Sequence, residues 1–383
     1  MKKILVLLPS YSIGGTTLSL YALLSKIDPK SVEVDVLAKP VGYYKGKMPN
    51  CNELKENFWI SYPLVNGNAL KKGIQMVVYG IRYALSKIQI NLFPLIYWLG
   101  GKSLNSMKYD AVINYCEGTA YLNSFLPARK KITWIHCDYR RHLQYNVFEN
   151  QECAYSKYDS IVAVSQFAKS TFTSVFPKFA EKVSVIYNCV DEQGIVVKSK
   201  QVSGIDDRFV TDGCFVLVSI GRLDPIKQFD LIPGIASEIK RITDKPFRWY
   251  IIGGGEDNWK NSIEKEIRNK NVEDIVILLG EQSNVYPYIA KSNLLVHTSK
   301  SESFSLVVKE AKSLNVPSII NNYECSSEFV NDGINGFIVP IKRMGERIAQ
   351  IINNPSLLEP IVSNLLIEQD GRDSIIDDFL LLI

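Results

Sequence analysis

The chain has 383 residues, which is too many for one ordinary hydrophobic core and enough for two domains. Hydrophobic residues make up 46% of it and charged residues 22%, a composition that excludes a disordered chain. The net charge is +4, but residues 1–196 carry 23 Lys+Arg against 14 Asp+Glu, or +9, and the remainder carries 21 against 26, or −5, so the first half should face an anionic partner.

The cysteines and the apolar runs indicate a protein without disulfides or membrane spans. The seven cysteines are scattered with no C-x-x-C pair, and we interpret them as reduced packing residues of a cytosolic protein, not as a zinc framework. The apolar run after the N-terminal lysines ends at Pro9, which predicts a buried strand and not a signal peptide. The longest apolar stretch, Ile88–Leu99, is too short to span a bilayer.

The first predicted strand, Lys3–Leu8, leads through a loop into a helix from about Thr16 to Lys26. The loop contains Gly14 and Gly15 but no G-x-G-x-x-G, so the fingerprint of dinucleotide binding is absent. Adjacent glycines allow the backbone to approach a ligand closely. The alternative is a plain tight turn.

The segment Phe58–Tyr109 contains no Asp or Glu, six basic residues and nine aromatic residues. Basic heads on apolar bodies are typical of a segment that lies on an anionic membrane surface. A pair of helices that covers one face of the sheet, with a solvated basic edge, explains the composition equally well. The two interpretations are compatible.

Polar residues follow two further predicted strands, Asp110–Tyr115 and Lys131–His136. They are Glu117, His136 and Asp138, and in a doubly wound sheet ligands bind at these carboxyl ends. A lone histidine at such a place is more often a structural hydrogen-bonding group. A polar, weakly periodic linker is predicted over residues 192–212.

A second Rossmann-like half begins with the strand Cys214–Ile220, which ends in the sequence GRLDPIK. Arg222 and Lys227 in this turn could neutralise a diphosphate, and the alternative is a surface arginine and lysine in salt bridges. Later strands open into loops at Gly254 and Gly280. The chain contains no D-x-D motif, which argues against a chelated metal.

The strand Leu294–Thr298, a polar loop and a helix over Phe304–Leu314 complete the pattern. The start of this helix is predicted to bind an anion, most naturally phosphate. Glu302 and Glu310 lie roughly 10 Å apart at the helical rise per residue, so they should bind different hydroxyl groups, of a sugar and of a ribose. The alternative is two ordinary helix carboxylates.

These motifs together resemble the family 4 glycosyltransferases, retaining enzymes of the GT-B fold. The resemblance rests on the E-x7-E segment from Glu302 to Glu310, on GRLDPIK, on WIHCDY around His136, on Gly14-Gly15 and on Asn188-Cys189-Val190-Asp191. It implies an α/β protein of two facing Rossmann-like domains with a cleft between them. Residues 1–196 would bind the acceptor and 197–359 the nucleotide-sugar, with the tail 360–383 packed back on the first domain.

The resemblance also implies roles for individual residues. The expected catalytic residues are Arg222, Lys227, Glu302 and His136, and Glu117 and Asp138 are expected on the acceptor side. The expected donor-binding residues are Gly14, Gly15, Gly221, Gly254, Gly280, Ser303, Phe304, Ser305, Leu306 and Glu310. Ser303 replaces the glycine common in the family and could narrow the sugar pocket.

The implied activity is transfer of a hexose from a nucleotide-diphosphate sugar to a lipid-linked or glycan acceptor in cell-surface polysaccharide biosynthesis. UDP is favoured by family frequency alone, and neither a metal nor a cofactor is expected beyond the nucleotide-sugar co-substrate. The protein would work in the cytoplasm, peripherally on the inner face of the cytoplasmic membrane, and would bind no nucleic acid. The alternatives are a nucleotide-sugar epimerase on the same scaffold and a non-catalytic partner subunit of a transferase.

Overall fold

The computed structural model describes residues 1–12, 14–39, 42–54, 93–145, 151–201, 203–368 and 374–383. The chain forms two compact units, Met1–Cys189 with Asp373–Ile383, and Val190–Arg372. These limits differ from the predicted ones, because the helix Glu359–Glu368 belongs to the second unit, where Ile361 and Leu365 join the hydrophobic core. Most of the predicted basic and aromatic segment Phe58–Tyr109, namely residues 58–92, lies outside the described residues.

The first unit is built on a parallel sheet whose described strands run in the order β3-β2-β1-β4-β5-β6-β7. The strands are β1 Lys2–Ser10, β2 Val32–Lys39, β3 Asn52–Glu53, β4 Ala111–Asn114, β5 Lys131–Ile135, β6 Ser160–Ala163 and β7 Val183–Val185. The α-helices are α1 Gly15–Lys26, α2 Phe93–Leu104, α3 Ala120–Asn123, α4 Tyr139–Tyr145, α5 Gln151–Ser156 and α6 Gln166–Val175.

The second unit contains a parallel sheet in the order β10-β9-β8-β11-β12-β13. Its strands are β8 Phe215–Ile220, β9 Phe247–Ile252, β10 Val276–Gly280, β11 Leu294–His297, β12 Ser318–Ile320 and β13 Phe337–Ile338. Its α-helices are α7 Glu192–Ser199, α8 Ile232–Ile242, α9 Asp257–Asn269, α10 Tyr286–Ala290, α11 Leu306–Ser313, α12 Ser326–Phe329, α13 Met344–Asn353 and α14 Glu359–Glu368.

The central strands of the second unit, β8, β9 and β11, are mostly apolar because helices cover both faces of a parallel sheet. The buried indole N–H of Trp249 is satisfied through a chain of bonds across three strands: Trp249 Nε1 donates to Ser219 Oγ at 3.0 Å, and Ser219 Oγ donates to the Val296 carbonyl at 2.6 Å. This chain of bonds fixes β9, β8 and β11 side by side. The carboxyl ends of these strands carry the candidate site.

The C-terminal helix α15, Ser374–Leu382, belongs to the first unit. Buried Phe379 packs against Trp134 of β5 with ring centroids 6.2 Å apart, and Lys130 Nζ donates to the Leu382 carbonyl at 2.6 Å. The described part of the chain contains no helix that is both long and apolar enough to span a bilayer.

Candidate functional site

A buried ionic cluster lies at the carboxyl ends of β8 and β11. Lys227 Nζ is 2.5 Å from Glu302 Oε1, and His297 Nε2 is 3.4 Å from the same oxygen. The side chains are 20%, 12% and 4% exposed for Lys227, Glu302 and His297, respectively. Lys227 and Glu302 were both predicted site residues, and the structure brings them into direct contact although 75 positions separate them.

Two hydrogen bonds between loops hold this cluster in place. Thr298 Oγ1 donates to the Lys227 carbonyl at 2.6 Å, and the Lys300 N–H donates to the Ile226 carbonyl at 2.8 Å. The loop after β8 is further closed by Asp224, whose Oδ1 accepts the N–H groups of Ile226 and Lys227 at 3.0 and 3.2 Å. Both the N–H and the carbonyl of Lys227 are therefore hydrogen-bonded, which fixes the backbone that carries the lysine side chain.

The charges in the cluster follow from burial and from the ion pair. Burial raises the pKa of the Glu302 carboxyl, but the Lys227 ammonium, His297 and the hydrogen bonds from Lys227 and Ser299 together lower it below its ordinary value. Burial lowers the pKa of His297 to about 4, against the opposing influence of Glu302. At neutral pH the cluster is thus an ammonium, a carboxylate and a neutral imidazole. A phosphate that approaches Lys227 competes with a pair already formed.

Arg222 lies apart from this buried pair and faces solvent. Its side chain is 80% exposed, and its Nε lies 3.4 Å from Asp224 Oδ2. The predicted pair of fixed cations is therefore one buried lysine and one exposed arginine. Arg222 is available to an anion at the surface of the second unit.

Glycines allow the ends of β8, β9 and β10 to meet. Gly253 has φ +154°, and a Cβ at this position would lie 1.8 Å from the Gly221 carbonyl oxygen. The Gly253 N–H donates to the Gly280 carbonyl at 2.9 Å, and Gly280 itself has φ +76°. A side chain at residue 253 would push the strand ends apart. The next residue, Gly254, accepts a hydrogen bond from the Leu223 N–H at 2.8 Å.

Helix α11 begins at Leu306, two residues later than predicted. Residue 304 lies outside the helix, and its ring packs edge-on against Phe329 with centroids 4.8 Å apart. The N-cap residue Ser305 is buried and makes no side-chain capping bond, and the first turn contains no acidic residue. The first-turn N–H groups of α11 thus have no capping side chain and no acidic neighbour within that turn, and anion binding by them stays a prediction.

Glu310 lies one turn into α11 and is 8% exposed. Burial raises the pKa of its carboxyl to about 7, although the hydrogen bond from Tyr286 and the charge of Lys198 lower it. Tyr286 Oη donates to Glu310 Oε1 at 3.2 Å. At neutral pH this carboxyl exists in both protonation states, so it can donate to and accept from a pair of hydroxyl groups.

In the first unit, Glu117 and His136 are neighbours at the ends of β4 and β5. Asn114 pairs with Thr133 in the sheet, and Glu117 and His136 lie three positions after these two residues, respectively. The backbone N–H of His136 donates to Glu117 Oε2 at 3.0 Å. The buried ring nitrogen Nε2 of His136 has no hydrogen-bond partner in the described part of the chain. Burial lowers the pKa of His136, against the opposing charge of Glu117.

Asp138 and the glycine pair occupy the starts of helices in the first unit. Asp138 Oδ1 accepts from the backbone N–H and from Nε of Arg140 at 3.1 and 3.2 Å, which fixes the start of α4. Its acceptor-side role stays a prediction. Gly15 opens α1 and Gly14 is its N-cap, where a Cβ would meet no described atom within 4 Å. Space for a ligand group is therefore present at this turn.

Sequence reasoning missed three residues of the site: Asp224, Tyr286 and His297. His297 could have been found, because it is a polar residue at the end of a buried strand, the same signal that singled out His136. Tyr286 and Asp224 gave no comparable signal. Their roles depend on partners brought near by the fold.

Part of the chain matches a known protein family. Residues 206–365 match the family described as Glycosyl transferases group 1. The chain is 26% identical over 185 residues to N-acetyl-alpha-D-glucosaminyl L-malate synthase of Bacillus anthracis, covering 48% of this chain and 46% of that protein. It is 24% identical over 336 residues to poly(ribitol-phosphate) alpha-N-acetylglucosaminyltransferase of Staphylococcus aureus, covering 84% of this chain and 60% of that protein. It thus spans 46% and 60% of the lengths of these relatives.

Solved structures share the fold over the whole chain. Anabaena HepE in complex with UDP and glucose superposes with a TM-score of 0.73 and 19% identity, covering 100% of this chain and 98% of that chain. Staphylococcus aureus TarM in complex with Fondaparinux, alpha-GlcNAc-glycerol and UDP superposes with a TM-score of 0.71 and 17% identity, covering 100% and 99%. This likeness, together with the two parallel sheets, confirms the predicted GT-B fold.

Proposed function

We propose that the protein is a retaining glycosyltransferase of family 4, because residues 206–365 match the family described as Glycosyl transferases group 1. It transfers a hexose from a nucleotide-diphosphate sugar, with UDP as the favoured nucleotide, to a lipid-linked or glycan acceptor in cell-surface polysaccharide assembly. UDP is present in the HepE and TarM structures. The Staphylococcus aureus relative acts, by its name, on a poly(ribitol-phosphate).

The observation that carries the proposal is the Lys227–Glu302 pair beside the uncapped start of α11. The ammonium and the first-turn N–H groups offer positive charge for a diphosphate, and the paired carboxylate accepts from a sugar hydroxyl. Glu310 lies farther along the same helix, where a carboxyl in both protonation states suits a ribose. These parts together fit a nucleotide-sugar better than a simple anion.

The proposed chemistry is stabilisation of the charge that develops on the leaving group. The bond from the anomeric carbon to the diphosphate oxygen breaks, and the acceptor oxygen bonds to the anomeric carbon on the same face. The proton of the acceptor hydroxyl passes to the departing phosphate. Lys227, Arg222 and the start of α11 hold the diphosphate as its negative charge grows. The transfer needs no metal under this proposal, since these groups supply the positive charge.

Slow hydrolysis of the donor tests the proposal without knowledge of the acceptor. Purified protein is incubated with UDP-, GDP- and ADP-sugars, and we expect release of nucleotide from one donor. Glu310→Ala should abolish that release, whereas Glu346→Ala, which removes a half-exposed helix glutamate of the same unit, should leave it unchanged. If a nucleotide raises the melting temperature of the protein but no donor is cleaved, the result would contradict a transferase activity. It would favour a nucleotide-sugar epimerase or a non-catalytic partner subunit.

We also propose that the first unit binds the acceptor near Glu117 and His136 and rests on an anionic membrane surface at the inner face of the cytoplasmic membrane. Helix α2 and the turn after it expose Leu95, Trp98 and Met107 by 53%, 43% and 49%. Lys102 Nζ lies over the Trp98 ring, 3.8 Å from its centroid. Aromatic and aliphatic groups beside lysines suit the interface between water and anionic lipid.

Vesicle flotation tests the membrane contact. The protein should float with vesicles that contain phosphatidylglycerol, bind less at high salt, and bind neutral vesicles weakly. A Leu95→Ala/Trp98→Ala double variant should lose most of the binding. Ile242→Ala, at a 46% exposed apolar position of the second unit, is the matched control. Equal flotation of the double variant and the control would contradict a contact through α2.

A further inference from the structure

The first unit contains a second group of chemically reactive side chains beside His136. Glu117, Cys137 and His142 each offer one ligand atom, an oxygen, a sulfur and an imidazole nitrogen, and all these atoms lie within 4.8 Å of one another. Glu117 is buried, and the other two side chains are half-buried. Carboxylate, thiolate and imidazole groups are all ligands of transition-metal ions in proteins.

Two adjacent strand ends and one helix position these three residues. Glu117 follows β4, Cys137 follows β5, and His142 lies on α4, the helix that begins two residues after Cys137. The Glu117 carboxylate is oriented by the His136 N–H at 3.0 Å on Oε2. The His142 ring packs against buried Tyr139 with centroids 5.1 Å apart. Two of the three ligands are thus already oriented by neighbours, as the ligands of protein metal sites commonly are.

We propose that Glu117, Cys137 and His142 bind one Zn²⁺ ion, with a fourth position open to water. Sulfur and imidazole ligands favour zinc and other transition metals over magnesium and calcium, which take oxygen ligands. Ligand atoms on one tetrahedral zinc lie about 3.3–3.8 Å apart, given bonds of about 2.0–2.3 Å. Side-chain rotations that shift the ligand atoms by about 1 Å would therefore bring all three within bonding distance of one ion. Binding displaces the proton of the Cys137 thiol to solvent.

The charges around the group permit a bound cation. Arg140 and Arg141 lie nearby, but both guanidinium groups are directed to Asp138, with Nε atoms 3.2 and 3.7 Å from its oxygens. Asp138 therefore screens part of the positive charge of α4. The Cys137 thiolate and the Glu117 carboxylate then neutralise the two charges of the zinc ion.

Cobalt titration of the full chain tests the site directly. Protein freed of metal and kept reduced is titrated with Co²⁺, which reports its ligands by absorption. We expect one ion per chain, a thiolate-to-cobalt band in the near ultraviolet, and visible bands as intense as those of tetrahedral cobalt. Zn²⁺ should displace the cobalt and abolish both.

Variants separate this site from adventitious binding. Cys137→Ser should abolish the near-ultraviolet band and weaken Zn²⁺ binding by at least about 100-fold, since loss of a ligand costs more than loss of an orienting neighbour. His142→Asn should weaken it similarly and keep the band. Cys153→Ser, at an exposed cysteine of the same unit, and Cys116→Ser, beside Glu117 but outside the set, should change neither.

Persistence of the thiolate band in Cys137→Ser, its loss in Cys153→Ser, or the absence of stoichiometric binding would overturn the proposal. A cooperative thermal unfolding transition confirms that each variant is folded. If Cys137→Ser does not fold, the weakened Zn²⁺ binding of His142→Asn tests the same site. The measurement records metal binding alone. Its outcome is therefore independent of whether the protein cleaves a nucleotide-sugar.

Discussion

Lys227→Met should lower turnover of the donor by about 10²–10³-fold, the usual cost of removing one group that stabilises charge in the transition state. The lysine Nζ lies at the ends of β8 and β11, against Glu302 and beside the start of α11. Charge on the diphosphate grows as the glycosidic bond breaks, so the lysine contributes more to the transition state than to the bound donor. We therefore expect donor affinity to fall far less than turnover.

Steady-state hydrolysis, combined with calorimetric binding of the donor, checks this prediction. Lys240→Met is the matched control, because Lys240 is a half-exposed lysine of α8 at the surface of the same unit. It should keep both constants. Equal losses of turnover and affinity in Lys227→Met would assign the lysine to ground-state binding and contradict the proposed chemistry.

The same substitution leaves Glu302 as a buried carboxylate without its ion-pair partner. An unpaired buried charge destabilises the folded protein, and removal of one partner of a buried pair typically lowers the free energy of unfolding by about 3–5 kcal/mol. The double variant Lys227→Met/Glu302→Gln should recover most of this stability in a thermal unfolding assay. It should recover none of the turnover, and this difference separates a structural role of the pair from a catalytic role of the lysine.

Gly253→Ala should destabilise the second unit by about 3–5 kcal/mol, in the range reserved for severe changes. The added Cβ would lie 1.8 Å from the Gly221 carbonyl oxygen, and the backbone at φ +154° is unfavourable for any residue with a side chain. Relief of the clash requires the ends of β8 and β9 to separate. Nucleotide protection against unfolding should be lost with it.

Urea unfolding, followed by tryptophan fluorescence, measures this effect. Gly234→Ala is the control, because a Cβ there meets no described atom within 4 Å and the residue lies in helix α8. That variant should gain about 0.5–1 kcal/mol from helix propensity. A Gly253→Ala protein with the unfolding midpoint of the wild type would show that the two strand ends can move apart freely.

The sequence by itself determined the fold class and the location of the candidate residues along the chain. Apolar strands that alternate with amphipathic helices indicated two parallel sheets, and the strand predicted over Leu294–Thr298 is observed as Leu294–His297. Polar residues after these strands were assigned to carboxyl ends because parallel strands all end at one edge of their sheet. These features depend on local patterns, which a single sequence displays.

Only the tertiary structure decided which side chains meet. Lys227 contacts Glu302 because β8 and β11 are adjacent in the sheet, and no local pattern encodes strand order. The Phe304 ring packs against Phe329, 25 positions along the chain, and α11 begins after it at Leu306. Glu117 meets Cys137 and His142 because β4 and β5 are adjacent in the sheet. Convergence of distant residues depends on packing, which the periodicity of one segment does not contain.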